Sequence, residues 1–387
     1  MNFAPPQPET IGPEDLQEAI SIVDMAMREG SDQTFLTDYP LVYRDANLKN
    51  IHVCRHAGHI VAEVPYIPRP VAHAGCNFRI GIISPTATHP DFRRQGYGIA
   101  NVHAAVRQMT RECVHVSVLW TALPTFAFYQ HAGYQGVREQ MKIYPIFRDD
   151  AAIFDDGGHR VQQLDPTITE HLEQVVALHR AEPAGVYRAD DEYVPLLTLP
   201  KMVTHLAFSQ DKVKAYLIES HASNKPGLIE GAGESDALAT LMRHVLRSLP
   251  DDAPILGYGY LASSSLGDLL ESVLQERRRP WGEEAMMRIN LVRPFFNAIA
   301  PWLAKQSRDR HMTFSIEVVD ANETISFDLD DGRVNLGDTT CDNHHQLTRR
   351  ELTAAVFGEN LAQRVAVPEP MRRIFPFYFP IWELDHS

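Results

Sequence analysis

The chain has 387 residues, 44% hydrophobic and 22% charged, a composition typical of a folded globular protein of two or three domains. Acidic residues outnumber basic ones by 50 to 36, and this excess disfavours nucleic acid and anionic membranes as partners. No apolar run reaches the length of a membrane span and no secretory signal pattern is visible, so we expect a cytoplasmic protein. The four cysteines are widely spaced, and we expect neither disulfides nor a metal site.

The first chemically specific pattern is TATHPDFRRQGYG at residues 86–98. It predicts the end of a strand, a loop with glycines at Gly96 and Gly98, and then a helix. Glycines leave backbone N–H groups uncovered, and the start of a helix carries the positive end of its dipole. Arg93 and Arg94 add positive charge at the same point. The pattern therefore predicts a site for the phosphates of a small polyphosphate carrier.

The elements that follow narrow the class of carrier. Apolar residues at helical spacing predict a helix over residues 99–113, and alternation predicts a half-buried strand over residues 114–118. Residues 124–134, PTFAFYQHAGY, predict a short helix that ends at Gly133. The Arg-x-x-Gly-x-Gly loop and the Phe-Tyr-x-x-x-Gly-Tyr segment, in this order, resemble the acyltransferases of the GNAT family.

The resemblance implies acetyl coenzyme A as co-substrate and assigns roles to named residues. Thr86 and Thr88 would offer backbone groups to the pantetheine arm, and Tyr129 would donate a proton to the departing thiolate. A free tyrosine has a pKa of about 10, which suits that task. The loop that would hold the pyrophosphate consists of Arg93, Arg94, Gln95, Gly96, Tyr97 and Gly98.

The rest of the chain divides into two further parts. After a turn-rich stretch at residues 148–158, interpreted as a linker, residues 159 to about 289 repeat the order of strands and a helix without the Arg-x-x-Gly-x-Gly loop. Glu230 and Glu234 stand where phosphates would lie, so we expect no coenzyme there. Residues 290–387 alternate like antiparallel strands and include a helix with a capping box.

This arrangement resembles the branch of the GNAT family typified by enhanced intracellular survival proteins. The resemblance implies an α+β fold: a tandem pair of GNAT domains, each a mixed sheet with flanking helices, and a sterol-carrier-like domain. The boundaries would be residues 1–150, 151–289 and 290–387. It also implies a homo-oligomer, a hexamer in that branch, and an amine acceptor such as an aminoglycoside-like polyamine or a lysine side chain.

The general base is a separate question, because residues 77–88 contain no Asp or Glu. Members of the branch use the C-terminal carboxylate, which here belongs to Ser387. The tail before it is strongly apolar, so we expect it to be docked, and burial would raise the pKa of a terminal carboxylate from about 3.5. The branch usually ends in an aromatic residue, whereas this chain ends in serine. Asp385 and His386 are alternative bases.

The function expected from the sequence is direct acetyl transfer from acetyl coenzyme A to a primary amine, without a metal. The alternative is a catalytically silent protein that binds coenzyme A, a lipid or a partner, with a vestigial acetyltransferase site. The length of the transferred acyl chain stays open in either case.

Overall fold

The computed structural model describes residues 6–28, 34–138, 141–222, 226–250, 254–261, 263–280, 284–360 and 364–386. Within them the chain forms mixed sheets with helices packed against them, which confirms the predicted α+β architecture of mixed sheets and flanking helices. The chain packs as two compact units, one made of residues 1–139 and 283–377 and the other of residues 140–282 and 378–387.

The strands are β1 (Glu9–Thr10), β2 (Ile51–His56), β3 (His59–His73), β4 (Cys76–Ile83), β5 (Ala87–Thr88), β6 (Val116–Trp120), β7 (Gln135–Gly136), β8 (Met141–Ile146), β9 (Arg160–Gln163), β10 (Ala184–Val186), β11 (Met202–Ser209), β12 (Lys212–Ser220), β13 (Gly227–Gly233), β14 (Ile255–Tyr260), β15 (Arg279–Pro280), β16 (Ala285–Ile289), β17 (His311–Val318), β18 (Glu323–Asp330), β19 (Arg333–Gly337) and β20 (His344–Leu347). The helices are α1 (Leu16–Met27), α2 (Phe35–Asp38), α3 (Tyr97–Arg111), α4 (Phe126–Gln130), α5 (Thr169–Arg180), α6 (Asp190–Leu197), α7 (Ser235–Ser248), α8 (Ser265–Leu274), α9 (Val292–Ala298), α10 (Ala300–Gln306), α11 (Arg349–Phe357) and α12 (Glu369–Arg372).

The described residues of the first unit form two sheets. The larger has the order β1-β2-β3-β4-β6-β16-β7, with β5 beside β3, and its β4 and β6 run parallel. Helix α3 connects these two strands and packs its apolar face on the sheet, where Val102 and Met109 meet Val64 and Tyr66. The smaller sheet has the order β19-β18-β17-β20.

Two local predictions differ from the structure in this unit. Helix α3 begins at Tyr97 and ends at Arg111, so Cys113 lies beyond it in an exposed turn with φ of 56°. The predicted half-buried strand is buried along nearly all of its length, because β4 and β16 pair with its two edges. Its Ser117 is fully buried and accepts a hydrogen bond from the Tyr134 hydroxyl at 2.7 Å.

The described residues of the second unit form a sheet in the order β15-β8-β14-β13-β12-β11-β9. Strands β13 and β14 run parallel and are connected by α7, which repeats the β4-α3-β6 arrangement of the first unit. The segment interpreted as a linker is packed here, because Phe154 belongs to the core and the buried Asp150 carboxylate is bound by the Arg277 guanidinium. The boundaries at residues 150 and 289 stay predictions.

Local capping follows the sequence closely. The side chain of Thr348 accepts a hydrogen bond from the Glu351 backbone N–H, and the Glu351 carboxylate accepts one from the Thr348 backbone N–H. The predicted capping box is therefore confirmed. The helix α11 that it opens ends before Gly358, where φ is 91°. Among the described residues, no helix has both the length and the apolar character needed to cross a bilayer.

Candidate active site

A cavity of about 1220 Å³ opens in the first unit where the parallel strands β4 and β6 separate. Their ladder is paired as far as Ile82 and Val118, and the next residues of both strands, Ile83 and Leu119, line the cavity. Beyond this point the chain of β4 turns away, and Ala87–Thr88 pair with β3 instead. The divergence of the two strands therefore creates the cleft.

The glycine loop lies at the mouth of this cavity. Gly96 precedes α3 with φ of 89°, a left-handed conformation that a side chain would strain. Gly98 belongs to the first turn of the helix, and a Cβ there would lie 3.0 Å from Thr88 Oγ1 and 3.3 Å from a ring carbon of Phe128. Gly96 therefore permits the left-handed turn that leads into the helix. Gly98 leaves the space beside Thr88 and Phe128 free of a side chain.

The same point of the cavity is electropositive. The first N–H groups of α3 have no acceptor within the helix and carry the positive end of its dipole. The exposed side chains of Arg93 and Arg94 also line the cavity, and Arg93 Nε donates to the Thr88 carbonyl at 3.3 Å. This combination can hold a phosphate or diphosphate.

The structure brings most of the predicted site residues together. Those that line the cavity are Thr86, Thr88, Arg93, Arg94, Gly96, Tyr97, Gly98 and Tyr129. The Gln95 side chain does not line it, since its amide donates to the Asp91 carbonyl at 3.0 Å. The Tyr97 hydroxyl lies 2.9 Å from His56 Nδ1, within hydrogen-bonding distance. Ser387 lies outside the described residues.

Tyr129 is placed on α4 and is 7% exposed. Burial raises the pKa of its phenol, and the nearby Thr86 hydroxyl opposes that rise. Thr86 Oγ1 is itself buried and has no hydrogen bond of regular geometry among the described residues. A phenol kept protonated at the wall of the cleft can donate a proton to a group bound there.

The sequence interpretation missed a buried carboxyl group next to this site. Glu63 on β3 is fully buried, and its partner across the ladder is Ala87, which lines the cavity. Its Oε1 accepts a hydrogen bond from the Tyr43 hydroxyl at 2.7 Å, whereas Oε2 is unpaired within the described structure. Burial, helped by the charge of Asp24, raises the pKa of Glu63 to about 8, although the Tyr43 bond opposes the rise. The sequence signal was a single glutamate inside an apolar strand.

The alternative base Asp385 is engaged elsewhere, in the second unit. It is fully buried, and its Oδ1 accepts a hydrogen bond from Arg188 Nε at 2.7 Å. The same guanidinium donates two hydrogen bonds to Glu230, at 2.9 and 2.7 Å. Glu230 is therefore not the uncompensated negative charge that the sequence suggested. His386 is also buried.

Comparisons with known proteins agree with this geometry. Residues 7–137 match the model of the acetyltransferase (GNAT) domain family. No curated protein sequence matches the chain significantly.

Among the described residues, no group of three or more His, Cys, Asp or Glu side chains is arranged to hold a metal ion.

Several solved structures are similar to nearly the whole chain. A GCN5-related N-acetyltransferase from Anabaena variabilis ATCC 29413 matches with a TM-score of 0.70 and 15% identity, over 97% of this chain and 98% of that one. A conserved protein of unknown function from Enterococcus faecalis V583, a probable N-acyltransferase, matches with a TM-score of 0.72 and 16% identity, over 98% and 100%. Eis1 from Mycobacterium abscessus matches with a TM-score of 0.62 and 15% identity, over 95% and 96%. Residues 7–137 are therefore similar in sequence to GNAT acetyltransferase domains, and the chain shares the mixed α/β fold of these structures along nearly its whole length.

Proposed function

We propose that the chain is an N-acetyltransferase that uses acetyl coenzyme A. The observation that carries this proposal is one cavity that joins three features: the electropositive start of α3, the cleft between β4 and β6, and the buried phenol of Tyr129. The first suits a diphosphate, the second an extended arm with a thioester, and the third a leaving thiolate.

The chain's own residues would divide the reaction as follows. The N–H groups at the start of α3, with Arg93 and Arg94, hold the diphosphate, and the backbone at Thr86 and Thr88 fixes the pantetheine arm. A neutral amine attacks the thioester carbonyl, and a C–N bond forms in a tetrahedral intermediate. Its collapse breaks the C–S bond, and Tyr129 gives its proton to the departing sulfur. The proton lost by the amine passes to a base.

The proposed base is the terminal carboxylate of Ser387. This assignment rests on the resemblance to the enhanced intracellular survival branch. The ion pair with Arg188 disfavours Asp385, because a carboxylate held by a buried guanidinium is a weak base. Glu63 is the alternative within the first unit, since it lies beside the cavity and its pKa is about 8.

Substrate and organisation are proposed from the same resemblance. The acceptor would be a primary amine of an aminoglycoside-like polyamine or of a lysine side chain. Residues 151–289 would be a degenerate second GNAT domain and residues 290–387 a sterol-carrier-like domain. The protein would act as a cytoplasmic homo-oligomer.

Release of free thiol from acetyl coenzyme A tests the activity. A panel of an aminoglycoside, spermidine and a lysine peptide should give amine-dependent release. Tyr129→Phe should lower kcat about 10²-fold or more while coenzyme affinity, measured by calorimetry, is retained. The matched control is Tyr134→Phe, which removes a hydroxyl that is buried nearby but outside the cavity.

The same assay separates the alternative, a catalytically silent binding protein. Binding of the coenzyme without turnover on any amine would favour that alternative. Failure of acetyl coenzyme A to bind at all would contradict both. Equal losses of kcat in Tyr129→Phe and Tyr134→Phe would contradict the role of Tyr129 as the acid.

A further inference from the structure

A second cavity of about 550 Å³ lies in the first unit beside the candidate active site. His103 of α3 and His131 line both cavities, so the two are neighbours along one face of that helix. Three arginines, Arg288, Arg349 and Arg350, are among the residues that line the second cavity.

Arg288 is held in place by neutral groups. It lies on β16, where Nε donates to the Ala132 carbonyl at 2.9 Å and Nη1 donates to Asn290 Oδ1 at 2.7 Å. A Cβ at Gly133, where φ is 83°, would lie 3.2 Å from Arg288 Nε. The backbone therefore packs closely against the guanidinium and fixes its position.

Arg349 and Arg350 occupy the first turn of α11. Arg349 Nη1 donates to the Asn290 carbonyl at 3.1 Å, and Arg350 Nε donates to Gln135 Oε1 at 3.1 Å. Helix dipoles favour negative side chains at this end, and two cations there are destabilising. The helix thus adds its own positive end to a cationic cavity.

The two carboxylates that line the cavity are engaged with other groups. Asp320 accepts a hydrogen bond from the Arg349 backbone N–H at 2.7 Å, and Glu351 is bound by Thr348 in the capping box. Within the described part of the chain, no ion pair joins a carboxylate to any of the three guanidinium groups. The nearby charges of Asp320, Glu323 and Glu351 act on the three arginines from a distance, without an ion pair among the residues described.

The surroundings lower the pKa of all three guanidinium groups. Burial, and then the charge of Arg349, lowers the pKa of Arg288 to about 10. Burial also lowers the pKa of Arg349 and of Arg350. Like charges held together in a half-buried cavity are unfavourable unless an anion joins them.

We propose that Arg288, Arg349 and Arg350 form a binding site for a phosphate group. Guanidinium groups bind phosphate oxygens through paired hydrogen bonds, and a dianion would form the direct ion pairs that these three groups lack within the described residues. Two sources supply this chemistry. One is the 3′-phosphate on the ribose of the coenzyme, since His103 lies seven residues, or about 10 Å, along α3 from Gly96. The other is a separate phosphate. The first source rests on the proposed function, whereas the second does not.

Calorimetry with three probes distinguishes the sources: coenzyme A, 3′-dephospho-coenzyme A and inorganic phosphate. Each is titrated into the wild type, Arg350→Gln and Arg288→Gln, with folding checked by circular dichroism. Arg350→Gln changes the less buried side chain, so it keeps the test informative if Arg288→Gln fails to fold. The matched control is Arg107→Gln, an exposed arginine of α3 that lies outside both cavities.

If the 3′-phosphate is the ligand, the wild type binds coenzyme A about 10-fold or more tightly than the dephospho form. That preference disappears in Arg350→Gln and persists in Arg107→Gln. If a separate phosphate is the ligand, the two coenzymes bind alike, and inorganic phosphate binds the wild type and loses affinity about 10-fold in Arg350→Gln.

The proposal is overturned if the two coenzymes bind alike and phosphate binding is absent or unchanged in the variants. A preference for coenzyme A that survives in Arg350→Gln and Arg288→Gln overturns it as well, unless phosphate itself loses affinity there. If neither coenzyme binds, the proposed function fails, and the phosphate titration alone decides the site.

Discussion

Arg188 and Asp385 form a fully buried ion pair, with 2.7 Å between Nε and Oδ1. The other two nitrogens of the guanidinium bind both oxygens of Glu230, which also accepts a hydrogen bond from the Tyr216 hydroxyl at 2.9 Å. Through these bonds Arg188 links Asp385 to Glu230, which lies on the buried strand β13 of the second unit. The docked tail expected from its apolar sequence is therefore also held by charge.

Asp385→Asn should destabilise the second unit. Loss of one partner leaves a buried charge short of compensation, which costs about 3–5 kcal/mol. Urea unfolding followed by fluorescence measures the loss. Asp190→Asn is the control, because it removes a carboxylate from an exposed pair with Arg180. Equal effects of the two substitutions would contradict a stabilising role for the buried pair.

Stability should fall with rising pH because of Glu63. Its pKa is about 8 in the folded protein and about 4.3 in an unfolded chain, so the folded state binds the extra proton between these values. Its contribution is complete below about pH 4 and is lost as the pH rises through 8. Glu63→Gln should flatten the fall in Tm measured from pH 5 to pH 9. Glu173→Gln, at an exposed position on α5, should leave the slope unchanged. An identical slope in Glu63→Gln would contradict the raised pKa.

Gly96→Glu should weaken binding of acetyl coenzyme A about 10-fold or more, because it strains the loop and adds negative charge at the helix start. Gly58→Glu is a matched control: φ is 89° at both glycines, and Gly58 lies in a hairpin with no atom within 4 Å of a Cβ. Both variants should lose similar stability, and only Gly96→Glu should lose affinity in calorimetry. Equal affinity in the two would refute the phosphate role of the loop.

Deletion of Ser387 should lower kcat about 10²-fold or more if the terminal carboxylate is the base. Ser387→Ala is the control, since it keeps a carboxylate at the same position. The measurement is thiol release with saturating amine. Unchanged kcat in the deletion would exclude this base, and a large loss in Glu63→Gln would then identify the carboxyl on β3.

Structural features that depend on residues close together along the chain could be predicted from the sequence. The loop at residues 93–98, the helix after it and the capping box of Thr348 and Glu351 depend on local backbone geometry and on periodicity. Their errors are local too. The helix starts at Tyr97, directly after the left-handed Gly96, and the pattern of apolar residues alone did not mark that boundary.

Tertiary structure alone decided which distant residues meet. Arg188 and Asp385 are separated by 197 positions, and Glu63 becomes part of the site's surroundings only because β3 pairs with Ala87. The cluster of Arg288, Arg349 and Arg350 likewise requires β16 and α11 to pack around one cavity. Burial and charge compensation depend on these contacts, so the sequence alone predicted the glycine loop and its helix, whereas the fold decided the ionisation and partners of the buried charges.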